Sequence, residues 1–175
     1  MSIAIVTDST SDLPKDVVEK HGITVVPLNV RFGMEEFKDG IDIDNDEFYR
    51  RLQIESELPT TSQPALGDFS EVYRSLIAEH DGIVSIHISG KLSQTINSAI
   101  QGARDVDSDG EKIKTIDTGQ ATIPLGLIVI EAANAAASGA DLAGVIEVVH
   151  DAMGRARFYG MVDTLEYLVK GGRIG

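Results

Sequence analysis

IVSIHISGKLSQTINSAIQGAR, residues Ile83 to Arg104, decides the fold. Its first six residues are apolar or β-favouring and predict a buried strand. From Gln94 onward Ile96, Ala99, Ile100 and Ala103 recur at helical spacing. Between them lies the short polar turn Ser89-Gly90-Lys91-Leu92-Ser93. A strand that ends in small hydroxyl residues and feeds a helix brings free backbone N–H groups, a positive dipole end and side-chain donors to one point. That point attracts an anion.

The same strand, turn, helix rhythm extends outward in both directions. Upstream, Ile3 to Thr7 predicts a strand, Asp8 to Leu13 a polar turn, and Pro14 the first position of a helix that closes at Gly22. Ile23 to Phe32 reads as a second extended run carrying Pro27, and Gly33 to Gly40 as a hairpin or excursion. Asp44 or Asn45 caps a helix from about Asp46 to Ile54. Pro59 to Pro64 is an extended, hydroxyl-rich loop in which two prolines disfavour helix, and a helix from about Gly67 to His80 leads into the central strand. Downstream, Lys112 to Asp117 predicts a strand, Thr118 to Gln120 another small turn, and Ile123 to Ala137 a buried helix with an alternative use as the wall of an apolar slot. A helix from about Asp141 to Met153, a strand from Ala156 to Val162 and a helix start at Thr164 to Lys170 complete the chain. Alternating strands and helices give an α/β fold, a mainly parallel sheet flanked by helices. Residues 1–155 form one lobe, and residues 156–175 begin a second α/β lobe whose remainder is absent.

Composition narrows the function. A net charge of −13, from 28 acidic and 15 basic residues, argues against nucleic acid or an anionic membrane as a broad electrostatic partner. The chain has no cysteine, which removes disulfides, zinc–thiolate sites and a thiol nucleophile. The start MSIAIVTDST lacks the basic and long apolar regions of a signal peptide, and Pro124, Glu131 and Asn134 interrupt the most apolar run. Both point to a cytoplasmic protein without membrane insertion.

Parallel α/β sheets place ligands outside the carboxyl ends of their strands. The turns Asp8 to Asp12, Ser89 to Ser93 and Thr118 to Gln120 therefore converge on one rim, and Thr60 to Pro64 covers it. Neutral hydroxyls with Lys91 as the nearby cation suit a single carboxylate or phosphate better than a polyphosphate. No GxxxxGK[ST], GxGxxG, GxSxG or HExxH pattern occurs, so neither a nucleotide cofactor nor a metal is expected. His87 reads as a hydrogen-bonded interior histidine. Asp8, at the end of the first strand, is the rival catalyst, an aspartyl nucleophile for a phosphatase or phosphoryl-transfer enzyme; its structural role is to cap the turn that follows. Ser89 and Ser93 have the same capping alternative.

Taken together, TDSTSDL (7–13), TTSQPA (60–65), ISGKLSQTINSA (88–99), IDTGQATIPLG (116–126) and TLEYLVKGGRI (164–174) resemble, in order, the motifs of the DegV family of fatty-acid-binding proteins. The resemblance implies two α/β lobes around a fatty-acid tail, with the carboxylate held by Thr61 and Ser93 and closely neighboured by Ser62 and Ser89. It implies a carrier without catalysis of its own, the acyl-carrying subunit of a bacterial fatty-acid kinase whose separate ATP-binding subunit phosphorylates the carboxylate. Arg173, at the basic position of the last motif, is the implied contact to that kinase. Gly90 departs from the pattern, standing where a second serine is frequent. A chain that ends at KGGRIG lacks most of the second lobe, so a truncated, non-binding interaction module is the remaining alternative.

Overall fold

Every residue of the first strand, Ile3–Asp8 (β1), is buried, as a parallel strand covered on both faces must be. In the computed structural model, which describes residues 2–174, a 3-10 turn at Ser9–Ser11 leads to helix α1 (Lys15–His21). Strands β2 (Ile23–Val26), β3 (Asn29–Phe32) and β4 (Glu35–Lys38) follow. Helix α2 (Asn45–Ile54), strand β5 (Thr60–Ser62), helix α3 (Leu66–Ile77) and strand β6 (Gly82–His87) come next. The order ends with α4 (Thr95–Val106), β7 (Ile113–Asp117), α5 (Thr122–Ala137), α6 (Leu142–Arg155) and the short α7 (Glu166–Lys170). Met1 and Gly175, the outermost residues of the two expected segments, lie outside the described residues.

The main sheet has the order β2-β1-β6-β7, parallel throughout. Helices α5 and α6 cover one face, where Leu125, Val129, Val145 and Val149 pack on Ile3, Ile5, Val84 and Ile86. Helices α3 and α4 cover the other, where Phe69, Tyr73 and Ala99 meet Ala4, Val6 and Ile83. A second, antiparallel sheet of order β4-β3-β5 stands beside it, with a small core of Val30, Phe32 and Ile43 against Phe37 and Phe48.

Local chemistry sets several boundaries. Gly22, at φ 62°, ends α1 in the left-handed conformation. Asp44 caps α2, its carboxylate accepting from Glu47 N at 2.9 Å. Pro14 stands one position earlier than expected, just before the helix.

Other expectations are corrected. The run Ile23 to Phe32 divides between sheets: β2 pairs with β1 and β3 with β4 and β5. Pro27, which has no N–H to give a ladder, stands at the break. The loop at Pro59 to Pro64 contains a strand, recruited by β3. Residues 156–162 form no strand; they are mostly exposed, and a strand without a neighbour leaves its backbone unpaired. The core role expected of Ile123 to Ala137 is the one seen, with Leu125, Ile128, Val129 and Ala132 all packed inside. Among the described residues no helix is long and apolar enough to cross a membrane.

Candidate functional site

The carboxyl ends of β1 and β6 and the inner side of the small sheet frame a cleft of about 1200 Å³. Leu13, Val25, Leu28, Val30, Phe48 and Ile88 give it an apolar interior, and Ser9 to Ser11, Thr61 to Gln63 and Gly90 to Gln94 give it a polar edge. Its charges are mixed. Lys15, Lys91 and Arg173 border it, so Lys91 is not its sole cation, and Asp12, Glu19 and Asp39 oppose them.

Thr61 and Ser93, from different layers of the fold, both line this cleft. Thr61 lies directly opposite Val30 in the β3–β5 pair, and directly opposed residues share a face, so register turns it inward with Val30. Ser62 borders the cleft too, but its hydroxyl accepts from Asn29 Nδ2 at 3.3 Å. Ser89 does not line it. The Ser89 side chain is buried and accepts from Lys91 N at 3.3 Å, so it holds the turn from within. Arg173 reaches the cleft beside Gly171 and Gly172, while Nη1 donates to the Gly171 carbonyl as expected of an arginine at a helix end.

The turn corrects the expectation of free backbone donors. Gly90 N donates to Asp117 Oδ2 at 3.1 Å, Lys91 N to Ser89 Oγ, Leu92 N and Ser93 N to the Ser89 carbonyl, and Thr95 N to Ser93 Oγ. With these five amides occupied, the turn offers an anion its side-chain donors, the Ser93 hydroxyl and the Lys91 ammonium among them. Gly90 itself has a packing reason, because a Cβ there would stand 2.9 Å from Asp117 Oδ2. The third turn supports the second: Thr118 Oγ1 donates to the His87 carbonyl at 2.8 Å, and Ser89 N donates to the Gln120 carbonyl. Thr118 to Gln120 does not border the cleft itself.

Behind the cleft lies a closed polar network. Asp8 Oδ2 is 2.8 Å from His87 Nδ1, and His87 Nε2 is 2.7 Å from Ser85 Oγ, which in turn is 2.7 Å from the Tyr73 hydroxyl. Asp8 also accepts from Ile88 N, Thr10 N and Thr10 Oγ1. Asp8, Tyr73, Ser85 and His87 are all 0% exposed. Burial alone pushes the Asp8 carboxyl up, but the hydrogen bond and charge of His87, with Thr10 and Ile88, outweigh it and hold Asp8 below the usual carboxylate range. Burial pushes the Tyr73 phenol up, so it stays protonated. The interior role expected for His87 matches its geometry. Asp8 has neither exposure nor a free oxygen with which to attack a phosphate, which leaves the phosphoryl-transfer reading without an accessible nucleophile. The partners Ser85 and Tyr73 carry one signal in the sequence: Ser85 is the lone hydroxyl of its strand and stands two residues before His87, on the same face.

Among the described residues no group of three or more His, Cys, Asp or Glu side chains could hold a metal. Fold and site together define an α/β lobe with an apolar cleft edged by hydroxyls. The chain belongs to the DegV family, whose model, described as "Uncharacterised protein, DegV family", matches residues 2–175. A DegV domain-containing protein of Caldanaerobacter subterraneus is 39% identical over 98% of this chain and 60% of its own length. Solved structures agree: a fatty-acid-binding DegV family protein from Thermus thermophilus has a TM-score of 0.88 and 37% identity, over 100% of this chain and 61% of that one. A stearic-acid-binding protein from Eubacterium ventriosum has a TM-score of 0.89 and 33% identity, over 99% of this chain and 60% of that one. The chain therefore spans about 60% of the length of the relatives it matches.

Proposed function

We propose that this chain is the first lobe of a carrier that holds a long-chain fatty acid, with Thr61 and Ser93 donating to the carboxylate and the acyl tail lying along the apolar interior of the cleft. The observation that carries the reading is the presence of these two hydroxyls, from separate layers of the fold, in the lining of one apolar cleft. Burial supplies affinity, about 0.8 kcal/mol for each methylene fully removed from water. The hydroxyls supply orientation. The carrier has no reaction of its own and presents the carboxylate to a separate ATP-binding kinase subunit, which Arg173 meets at the cleft mouth. The second lobe begins near residue 156 and adds the remaining wall. The likeness to solved fatty-acid-binding relatives above 30% identity supports the ligand class.

Oleate titration followed by native mass spectrometry tests the reading. Thr61→Ala combined with Ser93→Ala is expected to weaken oleate binding by about 1–3 kcal/mol and to lower the unfolding midpoint slightly, because Ser93 Oγ also accepts from Thr95 N. Unchanged affinity removes these two residues from the site. A chain that never binds an acyl ligand, even with the second lobe supplied, removes the carrier reading itself.

A further inference from the structure

Ser93 has a partner that the carrier reading does not use. Thr95 is 0% exposed, its Oγ1 lies 2.8 Å from Ser93 Oγ, and its backbone N donates to the same oxygen at 3.3 Å. We propose that Thr95 is a positioning residue that turns Ser93 into an outward hydroxyl donor, so that the cleft selects head groups that only accept, ionised carboxylates above all. The inference rests on the carrier reading and deepens it.

A serine hydroxyl has one proton and two lone pairs. The Thr95 amide takes up one lone pair of Ser93. The buried Thr95 hydroxyl proton needs an acceptor, because an unmet buried donor is costly, and Ser93 Oγ stands at hydrogen-bond distance. When Thr95 donates, both lone pairs of Ser93 are filled and its proton is the one thing it has to offer the cleft. The pair can run in either direction in isolation. A bound carboxylate fixes the direction, because it has no proton to give and aligns a chain of donors from Thr95 through Ser93 to the ligand, each bond polarising the next. An alcohol head group gains less: its own proton finds no lone pair at Ser93. The neighbouring amides do not override this preference, since those of Gly90, Lys91, Leu92 and Ser93 are already engaged within the rim.

Oleate and oleyl alcohol are titrated against the 175-residue chain and its Thr95→Val and Thr95→Ser variants, by displacement of a fluorescent fatty acid. The side-chain rotamer of Ser93 is read separately from NMR three-bond couplings without ligand. Thr95→Val is expected to lower oleate affinity roughly fivefold and to leave oleyl alcohol within about twofold, whereas Thr95→Ser restores the preference. Ser93 is expected to hold one rotamer in the native chain and in Thr95→Ser, and to average among rotamers in Thr95→Val. An equal loss for both ligands, or a Ser93 rotamer indifferent to Thr95→Val, overturns the positioning role. A native chain that binds neither ligand overturns the carrier reading and the head-group preference with it, and the couplings then decide separately whether Thr95 fixes Ser93.

Discussion

Two hydroxyl networks stand at the carboxyl end of β6, and they differ in access more than in chemistry. In one, Asp8, His87 and Ser85 follow each other at 2.8 and 2.7 Å, the order and spacing of a nucleophilic triad. Yet Ser85 is wholly buried and already bonded to Tyr73, so no substrate reaches it. In the other, Thr61 and Ser93 line an open cleft and retain capacity to bond. The closed network ties β1 to β6 and to α3. The open one is the proposed head-group site. Donor geometry alone does not make a site; unfilled hydrogen-bonding capacity in contact with solvent does.

The contrast breaks most sharply at Asp8. Asp8→Asn removes an ionised acceptor that His87, Ile88 and Thr10 all use, and breaking a buried pair costs about 3–5 kcal/mol. Urea unfolding at neutral pH measures the loss. The pH dependence has a definite sign. Because the folded carboxyl is held below its ordinary value of 3.8, its contribution is fully present above about pH 4 and is lost as pH falls through the folded value. The native chain should therefore weaken on the acid side, and Asp8→Asn should show a shallower decline. Equal stability of the two chains at neutral pH would show the closed network to be unimportant to the fold.

Two glycines hold the two regions in place. A Cβ at Gly126 would lie 2.5 Å from the Ser11 carbonyl, so this glycine lets α5 press the Ser9–Ser11 turn toward the cleft. A Cβ at Gly102 would lie 2.7 Å from Phe69 Cβ, inside the closed α3–α4 packing. Each Gly→Ala change is expected to cost about 1–3 kcal/mol of stability, read from thermal unfolding. Only Gly126→Ala should also change oleate affinity, since only that turn lines the cleft. If Gly102→Ala alters binding equally, the two regions are mechanically one.

The parts legible in the sequence share a physical cause. Strands β1 and β6 are buried on both faces, so their apolar runs announce themselves, and Gly22 and Asp44 mark helix ends by local chemistry. What escaped depends on partners distant in the chain. The break between β2 and β3 follows from which strand each one finds, and Pro27 alone does not specify that exchange. Residues 156–162 have strand-like composition but no strand beside them, and composition cannot report a missing partner. The site divides in the same way. Ser93 and Thr61, which the motifs single out, both line the cleft, and the β3–β5 register delivers Thr61 to it. Ser89 belongs to the same motif as Ser93, but its side chain folds under the turn, a distinction of rotamer and local hydrogen bonding that spacing does not encode.

The smallest expected effect is the one that locates the head group. Asp12 lines the cleft at φ 50°, and partial desolvation of its carboxyl, then the charges of Asp39 and Asp8, raise it above the ordinary value of 3.8. An acid whose folded value is raised costs stability above its unfolded pKa, and the cost is relieved as pH falls. Asp12→Asn removes the charge and keeps a residue that tolerates the left-handed conformation. Stability at neutral pH should rise by only a few tenths of a kcal/mol, given the exposure of this residue. Oleate affinity should rise about two- to threefold at low salt, with the gain shrinking as salt screens the charge. Oleyl alcohol should gain nothing, because it carries no charge for Asp12 to repel. A gain for both ligands would mean that Asp12 acts through the shape of the turn. No gain for oleate would place the carboxylate beyond the reach of Asp12, with the tail running past the Ser9–Ser11 turn in its stead.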